Sequence, residues 1–414
     1  MDHIKRTDGE LFIDGVSLTE IAEEYGTPSY VYSESLIKQS LKEYTSSVRK
    51  EDKICYAVKS NSNLSILKLL ADNGSGFDVV SGYELQRCLI AGADPKKIIF
   101  SGVGKTEKEI SLALQNKIFS INIESESELE RIIRISEALE IKADCFIRLN
   151  PEISSESHPY IQTALKSSKF GVDTDTAIKI AKLIKESKQV NLIGIASHIG
   201  SQISKESLVL ENLDSLLNVL KILEKNDQKI NYVDIGGGFG ITYKDEKNLS
   251  PSKLLPKIID KVGPKINIIL EPGRSISGKA GILITKTEYI KESKDQNFIV
   301  VDAGMNDLMR PSLYEAWHKI EPVIESKSPT ENSYKLVGPI CESADQFGEG
   351  LHIAVNQGDL IAIFDTGAYG FSMASNYNTR TKPVEVLASQ GNKRLIRSRE
   401  TFEDIISQEI EMLQ

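Results

Sequence analysis

Long apolar runs are missing from this chain. None of its 414 residues lies in a stretch approaching the roughly 20 consecutive apolar positions that a membrane-crossing helix needs. Cysteine is scarce: Cys55, Cys88, Cys145 and Cys341 stand apart with no CxxC pair, which excludes a disulfide framework and a zinc-finger spacing. A reducing cytoplasm is the expected setting, and the polar start MDHIKRTDGELFIDG offers no signal-peptide core. Positive charge is not in excess either. Fifty Lys and Arg against 59 Asp and Glu give a net charge of −9, so neither nucleic acid nor an anionic membrane surface is the expected partner. The five histidines, His3, His158, His198, His318 and His352, show no metal-ligand spacing, and no metal is expected. There is no low-complexity tract and no close repeat.

What the chain does have is a globular composition, with 40% hydrophobic and 26% charged residues, and enough length for two domains. From Cys55 to Arg274 short apolar runs alternate with amphipathic ones. The expected strands are 55–59, 77–81, 97–102, 119–125, 144–150, 191–200, 232–238 and 267–274. Between them lie helical patterns such as SELERIIRISEALE and DTAIKIAKLIKES, with apolar residues three and four apart. Eight strands, each followed by a helix or turn, is the count of a (β/α)8 TIM-type barrel, with an open doubly wound α/β sheet as the alternative. After Arg274 the segments GILITKTEYIKES, NFIVVDAG, SYKLVGPIC and DLIAIFDTGAYG alternate without long helices, as a mostly antiparallel β domain does. The expected division is a barrel over 34–277 and a β domain from 1–33 and 278–414 that completes the active site.

Active sites of such barrels lie at the carboxyl ends of the strands. There the sequence offers Lys59, Asp78 with Ser81, Ser101, Arg148 with Asn150, His198, the glycines from Gly236, and Glu271 with Arg274. Polar strand ends are ordinary one at a time. A lysine, a histidine, a triple glycine and Glu-Pro-Gly-Arg on four separate strands are less so. Apolar neighbours would drive Lys59 toward the neutral amine that condenses with a carbonyl, unless it snorkels to solvent. Gly236, Gly237 and Gly238 would expose backbone N–H groups to an anion, unless they form a plain turn. His198 is either a core residue or a flat ring that stacks on a flat cofactor. Glu271 either pairs with Arg274 or holds a proton on a ring nitrogen. Together these features describe a site for pyridoxal 5'-phosphate.

Over nearly its whole length the chain resembles the diaminopimelate decarboxylase family, pyridoxal-phosphate enzymes of the alanine racemase-like barrel group. The motifs YAVKSN, FDVVSGYEL, HIGSQI, DIGGGFG, EPGR, RPSLYEAWH, GPICESAD and GAYGFSMASNYN occur in that order. The resemblance implies that Lys59 carries the cofactor through an imine, with Asp78 close by and His198 stacked on its ring. It implies that Ser201, Gly236–Gly238 and either Tyr369 or Tyr377 hold the phosphate, with Gly273 and Arg274 beside it, and that Glu271 pairs with the pyridine nitrogen. Arg274, Arg310 and Tyr314 would bind substrate carboxylates, and Tyr377 would also face the substrate. Cys341 would donate the proton and Glu342 would recognise the distal amine, both reaching the cofactor of a partner subunit. A homodimer with shared active sites follows, acting on meso-2,6-diaminopimelate to give L-lysine and CO2.

Two segments depart from the family pattern. Ser81-Gly82-Tyr83-Glu84-Leu85 replaces SGGEL, and IQTALKSSKFG at 161–171 replaces STGLKENKFG. A decarboxylase for ornithine, arginine or carboxynorspermidine is the alternative, although RPSLYEAWH and CES count against it. Glu271 disfavours an alanine racemase, which places an arginine at the ring nitrogen. A barrel-only cofactor carrier would lack the residues after the barrel. A Schiff-base aldolase would leave Glu271 and His198 without a role.

Overall fold

The computed structural model describes residues 3–151, 153, 168–326 and 330–413. His158 and positions 161–167 of the second departing segment lie outside them. The chain forms two compact units. One comprises Ser40–Ile241 and Lys247–Ser275; the other comprises Met1–Gln39, Thr242–Glu246 and Ile276–Gln414.

The first unit is a closed parallel barrel. Its strands are β1 (Lys53–Ala57), β2 (Gly76–Val79), β3 (Ile98–Phe100), β4 (Ser120–Ile123), β5 (Ala143–Leu149), β6 (Val190–Ser197), β7 (Tyr232–Asp234) and β8 (Asn267–Leu270). Each strand pairs in parallel with the next, and β8 closes on β1 through Ile269 opposite Lys53 and Leu270 opposite Ile54. Closure excludes the open doubly wound sheet. Cys55, Ile99, Phe146, Ala196 and Ile269 fill part of the interior, and Gly194 leaves the room that the Phe146 ring occupies.

The helices between strands begin where the sequence places capping residues. Ser81 caps Gly82–Ile90 and Ser125 caps Glu126–Leu139. Thr106 and Glu109 form a reciprocal capping box at the start of Glu107–Gln115. The helix Glu126–Leu139 turns Leu129, Ile132 and Ile135 toward the sheet, the spacing of three that its pattern foretold.

Several strands end earlier than the sequence pattern suggests. β1 stops at Ala57, and Lys59 lies beyond it in a 3-10 turn, Val58–Ser60. β6 stops at Ser197, before His198, and β7 at Asp234, before the glycines. β8 stops at Leu270, one residue before Glu271. The cause differs by strand: Gly236 and Gly238 take φ of 72° and 88°, which a ladder cannot accept, and Pro272 lacks an N–H. The apolar run therefore continues past the regular ladder, and the polar residues at its end belong to loops.

The second unit is mostly antiparallel, as expected. Its large sheet orders the strands Gln346–Leu351, Tyr334–Val337, Asn297–Val301, Gly281–Lys291, Ser29–Ser33, Val384–Ser389 and Asn392–Arg397, with Ile320–Pro322 and Leu360–Phe364 joined through Gly281–Lys291. Two pairings are parallel, Ser29–Ser33 with Val384–Ser389 and Asn297–Val301 with Tyr334–Val337. LFIDG contributes to a separate three-stranded sheet at the amino terminus. Among the described residues no helix is long and apolar enough to cross a membrane.

Candidate active site

At the carboxyl end of the barrel strands a cavity of about 360 Å3 is lined by Lys59, Asp78, Ser101, Asn122, Arg148, Phe170, His198 and Glu271 among others. That volume falls within the range of small-molecule sites. Six of the residues that the sequence offers at strand ends, from six different strands, therefore share one space.

Lys59 departs from the expectation of an apolar setting. Its side chain is 38% exposed, and its Nζ donates to the buried Asp78 Oδ2 at 2.7 Å. The other Asp78 oxygen is buried without a hydrogen-bond partner among the described residues. His198 is half-buried, and its Nδ1 accepts the Gly237 N–H at 3.2 Å. Burial pushes the imidazole pKa down to about 3, and the positive charges of Lys59 and Arg148 push the same way. The ring is thus neutral, with its proton on Nε2, and forms a flat wall rather than a cation.

Glu271 does not have the bond partner that a buried Glu–Arg pair would supply to both its oxygens. Its Oε1 and Oδ2 of Asp234 are both buried with no N–H or hydroxyl donor among the described residues, and the two carboxyls hydrogen-bond each other. Burial raises the pKa of each carboxyl; Asp234 raises that of Glu271 further, whereas the hydrogen bond with Glu271 lowers that of Asp234. Two such neighbours away from water cannot both ionise, so the pair retains a proton. Asp234 is held by the Gly236 N–H, which donates to its Oδ1 at 2.8 Å, while the Glu271 N–H donates to Gly236 O at 2.8 Å.

The glycine run is threaded between two loops. A Cβ on Gly236 would lie 2.5 Å from Ser197 O and 2.8 Å from His198 Nδ1. One on Gly237 would lie 2.8 Å from the Glu271 carbonyl carbon and closer still to its oxygen. Only glycine fits. The expectation of three N–H groups open to an anion needs correction, because the first two already bond Asp234 and His198. Of the three, the Gly238 N–H is the one with no hydrogen-bond partner among the described residues. In the same unit Arg274 donates to Ser201 Oγ from Nη2 at 3.0 Å and from Nε at 3.3 Å. Gly273 packs against Ala57 and Ser60, where a Cβ would lie 3.1 Å from each. Arg274 and Ser201 thus pair a fixed cation with a hydroxyl, a donor set suited to a phosphate.

Some residues of the site carry no strong signal in sequence. Asp234 was visible only as the acid before the glycines. Arg148 was visible as a strand end, but its partner Glu124 was not. Glu124 Oε1 accepts from Arg148 Nη1 at 2.7 Å and from the Gly102 N–H at 3.1 Å, and its Oε2 accepts from the Gly171 N–H at 2.9 Å. One buried carboxylate thereby ties the ends of three strand loops to the cavity wall. Tyr83, the departing residue, is 80% exposed at the start of its helix.

In the second unit Cys341 is exposed, whereas the other three cysteines are buried. It lies in the turn between Tyr334–Val337 and Gln346–Leu351, not in a strand, so it is no core hydrophobe. Asp345 shapes that turn by accepting from the N–H groups of Met305 and Ile340 at 2.6 and 2.7 Å. The Cys341 N–H donates to Asn378 Oδ1 at 2.9 Å, and the neighbouring Tyr377 hydroxyl donates to Glu342 Oε2 at 3.3 Å. Cys341, Glu342 and Tyr377 therefore meet on one surface. Tyr369, at φ 57°, follows the strand Leu360–Phe364. Arg310 is buried at the start of the short helix Arg310–Tyr314, which Tyr314 ends.

Comparison with known proteins adds the following. Residues 34–278 match the family model described as pyridoxal-dependent decarboxylase, pyridoxal binding domain. The diaminopimelate decarboxylase of Vibrio cholerae is 41% identical over 409 residues, covering 98% of each chain. The crystal structure of the Methanocaldococcus jannaschii diaminopimelate decarboxylase in complex with L-lysine matches 99% of this chain and 98% of its own, with 40% identity and a TM-score of 0.93. That of the Helicobacter pylori diaminopimelate decarboxylase complexed with L-lysine matches 95% of this chain and 99% of its own, with 41% identity and a TM-score of 0.92.

Proposed function

This chain belongs to the diaminopimelate decarboxylases among the pyridoxal-dependent decarboxylases, and from that membership we infer that it removes CO2 from the D centre of meso-2,6-diaminopimelate to leave L-lysine, the last step of lysine biosynthesis. The observation that carries the reading is a single cavity holding Lys59 together with a buried Glu271 carboxyl whose pKa is raised beside Asp234. The full-length relatives near 40% identity favour diaminopimelate over ornithine, arginine or carboxynorspermidine.

The residues present fit pyridoxal 5'-phosphate. Glu271 is a buried carboxyl whose raised pKa lets it hold a proton at a ring nitrogen, and Arg274 with Ser201 pairs a cation and a hydroxyl for a phosphate. Lys59 would anchor the aldehyde, Ser201, Gly238 and Arg274 the phosphate, and His198 and Asp78 would border the ring. When bound, the cofactor supplies the electron sink that accepts the electron pair left as CO2 departs.

The chain's own residues do the rest. Glu271, which retains a proton with Asp234, would face the ring nitrogen and hold a proton there. Neutral His198 confines the ring without competing for protons. Arg310, Arg274 and Tyr314 bind substrate carboxylates, and Glu342 with Tyr377 receives the distal ammonium. The Cys341 thiol delivers the proton to the carbon that lost CO2. We further infer a cytoplasmic homodimer in which Cys341 and Glu342 of the β domain, 1–33 with 278–414, complete the partner's site on the barrel, 34–277.

Two assays test this reading. CO2 release is measured from meso-diaminopimelate beside L-ornithine, L-arginine and carboxynorspermidine; strong preference for the first, abolished in Lys59→Ala, is expected, and preference for another discards the substrate. Mixing inactive Lys59→Ala and Cys341→Ala variants after subunit exchange should restore about a quarter of native activity if sites are shared across a two-fold dimer. No recovery after demonstrated exchange overturns the sharing.

A further inference from the structure

His318 closes the RPSLYEAWH motif, and nothing in the reaction above uses it. It is 2% exposed in the second unit. Its Nε2 lies 2.8 Å from Arg310 Nη1, and its Nδ1 lies 2.7 Å from the backbone carbonyl oxygen of Phe364. Both neighbours dictate the same tautomer. A guanidinium carries only N–H donors, so Nε2 must present its lone pair; a carbonyl oxygen only accepts, so Nδ1 must carry the hydrogen. Tyr243 completes the cluster. Its ring stands edge-on to the imidazole, 5.4 Å between centroids and 79° between planes, and beneath the Arg310 guanidinium at 4.6 Å. Glu246 in turn fixes Tyr243 by accepting its N–H at 2.9 Å.

The choice of partner matters for what Arg310 can do. A carboxylate in the place of His318 would orient the guanidinium but cancel its charge. A neutral imidazole orients it and leaves the charge undiminished. Asp365, beside the carbonyl that holds His318, is paired with Lys279 at 3.1 Å and also interacts with the Arg310 charge. His318 and the Tyr243 face thus aim Arg310 without neutralising it, which suits a guanidinium that also meets a carboxylate of the substrate.

We propose that His318 is a positioning residue that, locked in one tautomer between Phe364 O and Arg310, holds the guanidinium in line for a carboxylate of the substrate. This rests on the reading that Arg310 binds such a carboxylate.

The test uses holoenzyme carrying His318→Phe, which keeps a flat ring against Tyr243 and removes the acceptor, and His318→Gln, which can return an acceptor oxygen to Arg310. Steady-state rates with meso-diaminopimelate and competitive inhibition by L-lysine, which retains one of its two carboxylates, are measured along with the absorbance of bound cofactor. In the Phe variant KM and the L-lysine inhibition constant should each rise about tenfold, the scale of one hydrogen bond to a charged group. Its kcat should stay within about threefold and its cofactor absorbance unchanged. The Gln variant should lie within about threefold of native on every count. If the Phe variant does not accumulate folded, His318→Leu carries the same expectation.

Unmoved KM and inhibition constants, kcat falling as far as KM rises, or a Gln variant as impaired as the Phe variant overturns the proposal. Arg310→Leu separates it from the reading beneath. Should that variant bind meso-diaminopimelate and L-lysine normally, the carboxylate role itself fails; should it bind both poorly while His318→Phe binds both well, only the positioning is wrong.

Discussion

Replacing Gly237 with alanine adds a single methyl group where the barrel loops have no room for it. The new Cβ would lie 2.8 Å from the Glu271 carbonyl carbon and 3.4 Å from Pro272 N, with the carbonyl oxygen nearer than either. All three are backbone atoms, so no side chain can swing aside. To move the carbonyl carbon from 2.8 Å to ordinary contact near 3.4 Å, the Glu271 peptide must retreat by more than half an ångström. That retreat pulls on the Glu271 N–H bond to Gly236 O and displaces the Glu271 carboxyl, the group proposed to meet the ring nitrogen. Overpacking of this kind costs about 2 kcal/mol, a fall of roughly 4 to 8 °C in Tm for a domain of this size. Displacement of a positioning group by about an ångström can cost on the order of 100-fold in rate. The expected outcome is therefore a kcat/KM reduced about 100-fold and weakened cofactor binding, read by titrating the apoprotein while following absorbance. Gly240→Ala is the control, because its Cβ would meet the Gln202 side chain at 3.1 Å, which can shift. If Gly237→Ala binds cofactor as tightly as native and turns over within about threefold of it, the threading of this loop against Glu271 does not govern the site.

Three further outcomes are expected. Burial raises the Glu84 pKa to about 7 from the ordinary 4.5, while its Oε2 accepts the Val80 N–H at 2.8 Å. Because the folded pKa lies above the unfolded one, the stability linked to this carboxyl is present below pH 4.5 and is lost as pH rises through 7. Glu84→Gln, which keeps the acceptor, should gain in unfolding free energy over native as pH climbs from 5 to 8, up to the order of 3 kcal/mol; a gain that does not depend on pH refutes the assignment. Glu124→Gln removes the charge that answers the buried Arg148, and urea unfolding should show a loss of about 3 to 5 kcal/mol, against a reading near zero if water reaches the pair. His198, with a pKa pushed down to about 3, should show no titration of its ring proton resonances between about pH 5 and 9; an inflection near the ordinary histidine value contradicts the neutral ring.

Local patterns in the chain were enough to determine much of the protein. The alternation of apolar runs with amphipathic stretches encodes eight strands and their helices, because period and capping are properties of neighbouring residues. Lys59, Asp78, His198 and Glu271 were each legible as polar residues terminating an apolar run. Their meeting in one cavity follows from barrel closure, which brings every strand end to the same face. Strand ends were overestimated, since hydrophobicity persists into a loop that packs inward while positive-φ glycines and Pro272 have already broken the ladder.

Other features required the tertiary structure. The salt bridge from Lys59 to Asp78, the proton retained between Asp234 and Glu271, and the bonds that occupy Gly236 and Gly237 all join residues distant in the chain. No local pattern reports them, because charge state depends on which groups burial brings together and on what water is excluded. The same holds for Arg310 and His318: their spacing within RPSLYEAWH is plain, yet the tautomer that aims the guanidinium is dictated by Phe364, 46 residues further on. Sequence determined which groups the site contains, and folding alone decided which of them carry protons and which way they point.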